Sequence, residues 1–457
     1  MSIQQPATYR RRKHSLRKHW MPILACVLSS LSAVPSNAAE KNLYAFSTWP
    51  AAAPAGSYPL GTLLRDSRGS LYGVTWFGGQ YGYGTIFKLA PPAAGQTQWN
   101  MYVLHSFNGG SDGGTPNATL AMDSTGAIYG TAGDGGSTLE GLAFKLTPPI
   151  NGATNWNYTI IHTFSYNFAT GNNDGAHPSG GLIMDKNGAL YGTTDLGGVT
   201  TDPSGIGFGT VFRLTPLDAG KTTWKETVLY RFTSLTDGTN PMFALTLDGA
   251  GALYGSTLYG GTGRCTDVLS NIVGCGTVFK LKPPPLGQTA WTKSTLHNFA
   301  PGSDGQVPEG ALLLDASGAV YGTTTQGGAP ACSGGCGVIY KLTPPQLGQT
   351  AWTESILHSF VGFDGAGPQG GLIRDATGAL LGTASGGGSI GYGVVFKLVP
   401  PPAGLLGWTE TVIFNFDGYV AGTTPIGELV RDGSGRLLGV ANSWGPNLGG
   451  TVYQITP

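Results

Sequence analysis

The sequence predicts an all-β fold: a seven-bladed β-propeller of four-stranded antiparallel blades, closed by an N-terminal strand that completes the last blade. Three observations predict it. A unit of about sixty residues recurs seven times along the chain. Within each unit, apolar and aromatic residues alternate with period two, and no sustained 3.6-residue pattern follows the first 38 residues. The seventh unit stops after its third strand, residues 451–455, and the missing strand stands at the other end of the chain, at residues 43–46. Four strands per repeat, closed in this way, leave no end interface to cap.

The first element is an address. Residues 1–38 read as a secretory signal peptide, with a basic stretch from Arg10 to Lys18 and an apolar stretch from Met21 to Val34. Ser36 and Ala38 place small residues at the −3 and −1 positions, so cleavage is expected after Ala38. The apolar stretch is shorter than the roughly 20 residues a membrane span needs. Residues 39–457 then form one propeller domain, expected to be a monomer without a membrane span.

Each repeat opens with an apolar strand that ends in an Asp-x-x-Gly turn. The aspartates are Asp66, Asp123, Asp185, Asp248, Asp315, Asp375 and Asp432. Asp followed three residues later by Gly is type I turn chemistry, so these residues read as hairpin turns and only secondarily as calcium ligands. A second strand follows, as in Leu190-Tyr191-Gly192, and then a Gly-Gly step such as Gly197-Gly198. The loop after it leads to a third strand of the Thr210-Val211-Phe212 type. A Pro-Gly-rich connector leads to a fourth strand opening on Trp99, Trp156, Trp224, Trp291, Trp352 or Trp408. Gly 76 and Pro 30 in 457 residues approach low-complexity usage, but they recur at fixed turn positions beside a 40% hydrophobic content.

Repeats such as GALYGTTDLGG…GTVFRLTP and GAVYGTTTQGG…GVIYKLTPP resemble the GloVer tandem repeats of secreted bacterial proteins. The resemblance covers residues 41–457. It implies export. The chain shows no C-terminal sorting tail of the kind that the resemblance associates with surface anchoring.

Charge excludes some partners. The formal net charge is zero, with 25 basic and 25 acidic residues, but six of the basic ones lie in the signal segment. The propeller is therefore mildly acidic, with no basic stripe for nucleic acid. Cys265, Cys275, Cys332 and Cys336 form an even set in an exported chain and are expected to pair as Cys265–Cys275 and Cys332–Cys336. No histidine is close to either pair in sequence, so neither reads as a metal site.

With the first strand lining the channel and the fourth outermost, the Gly-Gly loops and the inter-blade Asp-Gly loops share one face. That face carries the candidate ligand residues: Asp112, Asp174, Asp237, Asp304 and Asp364 of the inter-blade loops, with Asp417 as a stretched variant. Turn formation alone also accounts for them. Trp76, Tyr81 and Tyr83, with Phe77, offer a sugar-stacking surface, although Trp76 is weighted towards packing. Three adjacent repeats carry long loops at residues 199–208, 262–275 and 329–336, a clustering expected of a binding site. His105, His162, His297 and His358 share one slot with Tyr44, Tyr230 and Phe414, which reads as a packing position, and His177 has no evident partner. No nucleophile elbow, metal-spaced histidine pair or phosphate loop is present. The expected function is a secreted, non-catalytic binding module or scaffold for an extracellular glycan, protein or cell-envelope component. No cofactor is expected, calcium being left open. The alternative is an extracellular carbohydrate-active hydrolase or lyase that uses carboxylates of the same face.

Overall fold

The repeats close into a ring because each blade must bury a face that only its neighbour can cover. A computed structural model describes residues 38–48, 53–117, 119–150, 155–166, 174–199, 207–266 and 272–457. It is a seven-bladed β-propeller. Seven separate sheets are each built of consecutive antiparallel strands running from the channel outwards. In the first blade these are Ser57–Arg65, Leu71–Phe77, Thr85–Ala90 and Asn100–Ser106. The last blade takes three strands from the end of the chain, and its outer strand is Ala39–Ser47, paired antiparallel with Leu448–Thr456. The only helical element among the described residues is a single 3-10 turn, Leu235–Asp237.

Seven hydrophobic clusters lie between the blades, one at each interface. At the ring closure, Leu43 and Phe46 join Leu63, Leu71 and Phe87 of the first blade and Leu438, Val440 and Val452 of the last. An aromatic ring on the third strand fixes each interface. Phe87 fills the space over Gly73, where a side chain would collide with it, and meets Phe46 of the preceding blade at 5.2 Å. The arrangement recurs as Phe164–Phe212, Phe232–Phe279 and Phe360–Phe396. The glycine in Leu-Tyr-Gly is thus required by packing. Fourth-strand tryptophans complete the same interfaces, with Trp224 edge-on to Tyr129 of the previous blade at 5.7 Å.

The turn aspartates act as the turn chemistry requires. Asp185 Oδ1 accepts from the backbone N–H of Asn187 and Ala189, and Oδ2 accepts from the Tyr191 hydroxyl. In the last two blades leucine replaces that tyrosine, and Lys397 and Arg436 take its place against Asp375 and Asp432.

A second seven-fold contact joins the blades at the opposite face. The glycine that opens each third strand seats the proline of the next inner strand. The pairs are Gly84–Pro116, Gly141–Pro178, Gly209–Pro241, Gly276–Pro308, Gly337–Pro368, Gly393–Pro425 and, across the closure, Gly450–Pro59. A Cβ on any of these glycines would lie under 3.0 Å from the proline ring. All seven have φ between +90° and +102°, where an L side chain is strained in any case. Both expected disulfides form, Cys265–Cys275 and Cys332–Cys336. The first lies in the core between the fourth and fifth blades.

Gly276→Ala is therefore expected to destabilise the fold by about 2–4 kcal/mol, the sum of backbone strain and overpacking. Gly348 also has positive φ but nothing within 4 Å of the added atom. Gly348→Ala is expected to cost only about 1 kcal/mol. Equal losses in chemical denaturation would refute the proline seat as the stabilising contact.

Candidate functional site

The proline seat produces an unusual ring of backbone at the channel mouth. The residue before each proline has positive φ: Tyr58, Thr115, His177, Asn240, Val307, Gly367 and Thr424, at 47–59°. Non-glycine residues rarely adopt this region, and a following proline restricts them further. The cost is met by an inter-blade hydrogen bond. The N–H of Thr115 donates to the Tyr83 carbonyl, that of His177 to Glu140, that of Val307 to Cys275 and that of Thr424 to Tyr392. This backbone turns the pre-proline side chains towards the ends of the second strands.

Two sectors of different chemistry result. On the second to fourth blades the sector is polar. Thr115 donates a 2.6 Å hydrogen bond to Asp134, whose other oxygen lies 3.7 Å from His177 Nδ1. His177 thus has a partner that linear sequence does not show. Beside them Asp195 is largely buried, and one of its carboxylate oxygens accepts no hydrogen bond. Burial pushes its pKa up to about 6; His177 opposes the shift and Asp134 adds to it. Asn240 caps the group by donating to the Asp195 carbonyl.

On the sixth, seventh and first blades the sector is aromatic. Trp76 is 44% exposed and stacks on Phe77 at 4.9 Å, so it is not a packing residue. Tyr58 meets Phe77 edge-on, and Trp444 lies 6.0 Å from Tyr392. Tyr83, Tyr419 and Leu448 are exposed on the same set of loops. The three long loops lie on other blades; two of them include residues outside the described set, 200–206 and 267–271.

The five inter-blade aspartates do not converge. Each sits at its own blade interface and accepts from a nearby loop N–H, as Asp112 does from Asn108 and Asp364 from Val361. Each also meets the slot that reads as packing in the sequence. His105 is 3.3 Å from Asp112, His162 2.8 Å from Asp174, His297 3.3 Å from Asp304 and His358 3.0 Å from Asp364. Tyr230 donates to Asp237. The slot is therefore aromatic and, where the residue has a donor, also a clamp on the carboxylate. Asp112 and Tyr81 do share a surface groove of about 770 Å³ between the first two blades, with Tyr102, His105 and Trp156.

Inside the channel the wall is mostly small residues from all seven blades, around a cavity of about 200 Å³. Inner-strand glycines leave no room for side chains: Gly427 touches the Gly61 backbone across the closure. Two carboxylates interrupt this wall, Glu309 and Glu428. Burial raises each to about 7, with hydrogen bonds from Thr325 and Gln369 partly offsetting the shift at Glu309.

The profile of the Gloeobacter/Verrucomicrobia repeat matches residues 33–269 and 269–457. The chain belongs to this repeat family. No curated protein matches it. Among solved structures, this repeat protein is similar to a puromycin hydrolase mutant at 13% identity and TM-score 0.50, covering 87% of this chain and 53% of that one. PorZ, a surface component of the type-IX secretion system of Porphyromonas gingivalis, aligns at 12% identity and TM-score 0.47, over 89% of this chain and 48% of that one. A glucose dehydrogenase aligns at 14% identity and TM-score 0.42, over 74% and 95%. At these identities the likeness concerns the fold alone.

The channel glutamates set a pH dependence. Below the ordinary value of 4.5, both folded and unfolded chains hold these protons. Between 4.5 and about 7 the unfolded chain ionises first, so stability falls as pH rises. Above about 7 the loss is complete, on the order of 2–3 kcal/mol per group. The double variant Glu309→Gln/Glu428→Gln is expected to lose this decline in urea unfolding measured from pH 4.5 to 8. Superimposable pH profiles would count against it.

Proposed function

We propose that this repeat protein is an exported, non-catalytic binding module that holds a glycan on the face carrying the Gly-Gly and inter-blade loops. The exposed aromatic sector carries the reading. Trp76, Phe77, Tyr83, Tyr419 and Trp444 present ring surfaces to solvent from three adjacent blades. Exposed rings gathered on one face are a recognition feature and not a folding one. Sugars offer apolar C–H faces to such rings and hydroxyls to the carboxylate, imidazole and amide groups of the polar sector.

Export agrees with two disulfides in a chain that begins with a signal-like segment. No helix among the described residues is long and apolar enough to cross a membrane. Intact mass of the protein recovered from a secreting host should correspond to a chain starting at Ala39. A mass retaining the basic segment would contradict cleavage after Ala38.

Glycan-array binding of the full chain is expected to weaken about tenfold in Trp76→Ala and in Trp444→Ala, the loss of one stacking partner, with unchanged thermal unfolding. Undiminished binding in both variants would move the site elsewhere. The alternative, a carbohydrate-active hydrolase or lyase, has one feature in its favour, the carboxyl of Asp195 held near pH 6 beside His177. Turnover of any array hit that disappears in Asp195→Asn would replace the binding-module reading with the enzymatic one.

A further inference from the structure

We infer that two of the inter-blade clusters bind a divalent transition-metal cation such as zinc. One is His297, Asp304 and Glu354, between the fourth and fifth blades. The other is His358, Asp364 and Glu410, between the fifth and sixth. In each, one donor atom from every residue lies within 4.8 Å of the other two, and among the described residues only these sets do so.

Geometry favours an ion. His297 Nε2 is 3.3 Å from Asp304 Oδ2 and 3.6 Å from Glu354 Oε1. His358 Nε2 is 3.0 Å from Asp364 Oδ2. A tetrahedral ion with bonds of about 2.0–2.1 Å spaces its donors about 3.3 Å apart, so little movement is needed. One imidazole and two carboxylates suit zinc, cobalt or manganese. Calcium prefers six to eight oxygens. The side chains of the first set remain 15–23% exposed, which leaves room for water to complete the coordination.

Two further observations point to a missing positive charge. Glu354 Oε1 and Glu410 Oε1 are buried and accept no hydrogen bond. A buried carboxylate oxygen without a donor is costly. The neighbouring interface carries that positive charge within the chain. There Lys293 occupies the place of Glu354 and Glu410 in the repeat, its side chain is 5% exposed, and its Nζ lies 2.8 Å from Asp237 Oδ1. The chain supplies a cation of its own at that interface. At the next two it supplies a second carboxylate and a histidine instead, a set whose negative charge a divalent cation from solution would neutralise. Between the second and third blades His162, Asp174 and Glu226 repeat the set, with Glu226 Oε1 likewise unpartnered, but the three are not all within that spacing. Beside Asp112, Tyr158 stands in for the glutamate, and beside Asp417, Phe414 for the histidine.

The test uses the full chain with its disulfides intact, stripped with EDTA and titrated with zinc chloride by calorimetry, with bound metal counted by elemental analysis. Two equivalents per chain are expected, together with a zinc-dependent rise in Tm. Glu354→Gln and Glu410→Gln should each remove one equivalent, and the double variant both. Glu226→Gln, at an interface where His162, Asp174 and Glu226 are not all within that spacing, should keep both. Because glutamine preserves shape, circular dichroism should report an unchanged fold. Should a glutamine variant fail to fold, His297→Asn and His358→Asn give the same readout. A folded wild-type chain that binds no zinc would overturn the inference. So would two equivalents retained in the folded double variant.

Discussion

The structure depends on a seat for a proline. Seven glycines at the start of the third strands hold seven prolines of the next inner strands, and one pair, Gly450–Pro59, joins the end of the chain to its beginning. The contact works only with glycine, because the backbone has positive φ and the proline ring occupies the space of a Cβ. It also fixes the pre-proline residue in a left-handed conformation, with its N–H bonded across the interface. Packing strength and local strain therefore come from the same seven contacts. The strain is borne at positions whose side chains differ from blade to blade, among them Tyr58, Thr115, His177 and Asn240.

A charge-poor chain spends its charges at interfaces. Only 11% of residues are charged. The turn aspartates cap hairpins with tyrosine or a basic side chain, and the inter-blade aspartates clamp loops to the outer strand of the preceding blade. What varies between copies is the third partner, from the next blade: tyrosine, glutamate or lysine. One scaffold position thus has a different charge at successive interfaces. That variation turns a structural clamp into a candidate metal site at two of them.

The face that carries the Gly-Gly and inter-blade loops follows the same logic. Its polar sector, around Asp134, His177 and Asp195, and its aromatic sector, around Trp76 and Trp444, occupy equivalent loops on different blades. Symmetry supplies a rigid frame, and departures from symmetry supply chemistry. Loop length marks a third departure, on three adjacent blades of which two carry the disulfides.

The sequence alone determined the repeat, the blade count, the closure by the N-terminal strand and both disulfides. It could do so because turn glycines, period-two strands and short cysteine loops are local features. It also identified the aspartate turns, since Asp and Gly three residues apart define a turn without outside help. Only the tertiary structure decided the rest. Asp134 and His177 belong to successive blades, and His297 meets Glu354 across 57 residues and a blade boundary. Trp76 reads as a packing residue until its stacking on Phe77 and its exposure are seen. The histidine slot reads as a core position because phenylalanine shares it, whereas the inter-blade aspartate folds back to meet it wherever a donor is present. Partners of this kind are set by how one blade lies on the next. That is a property of the closed ring, and no single repeat contains it.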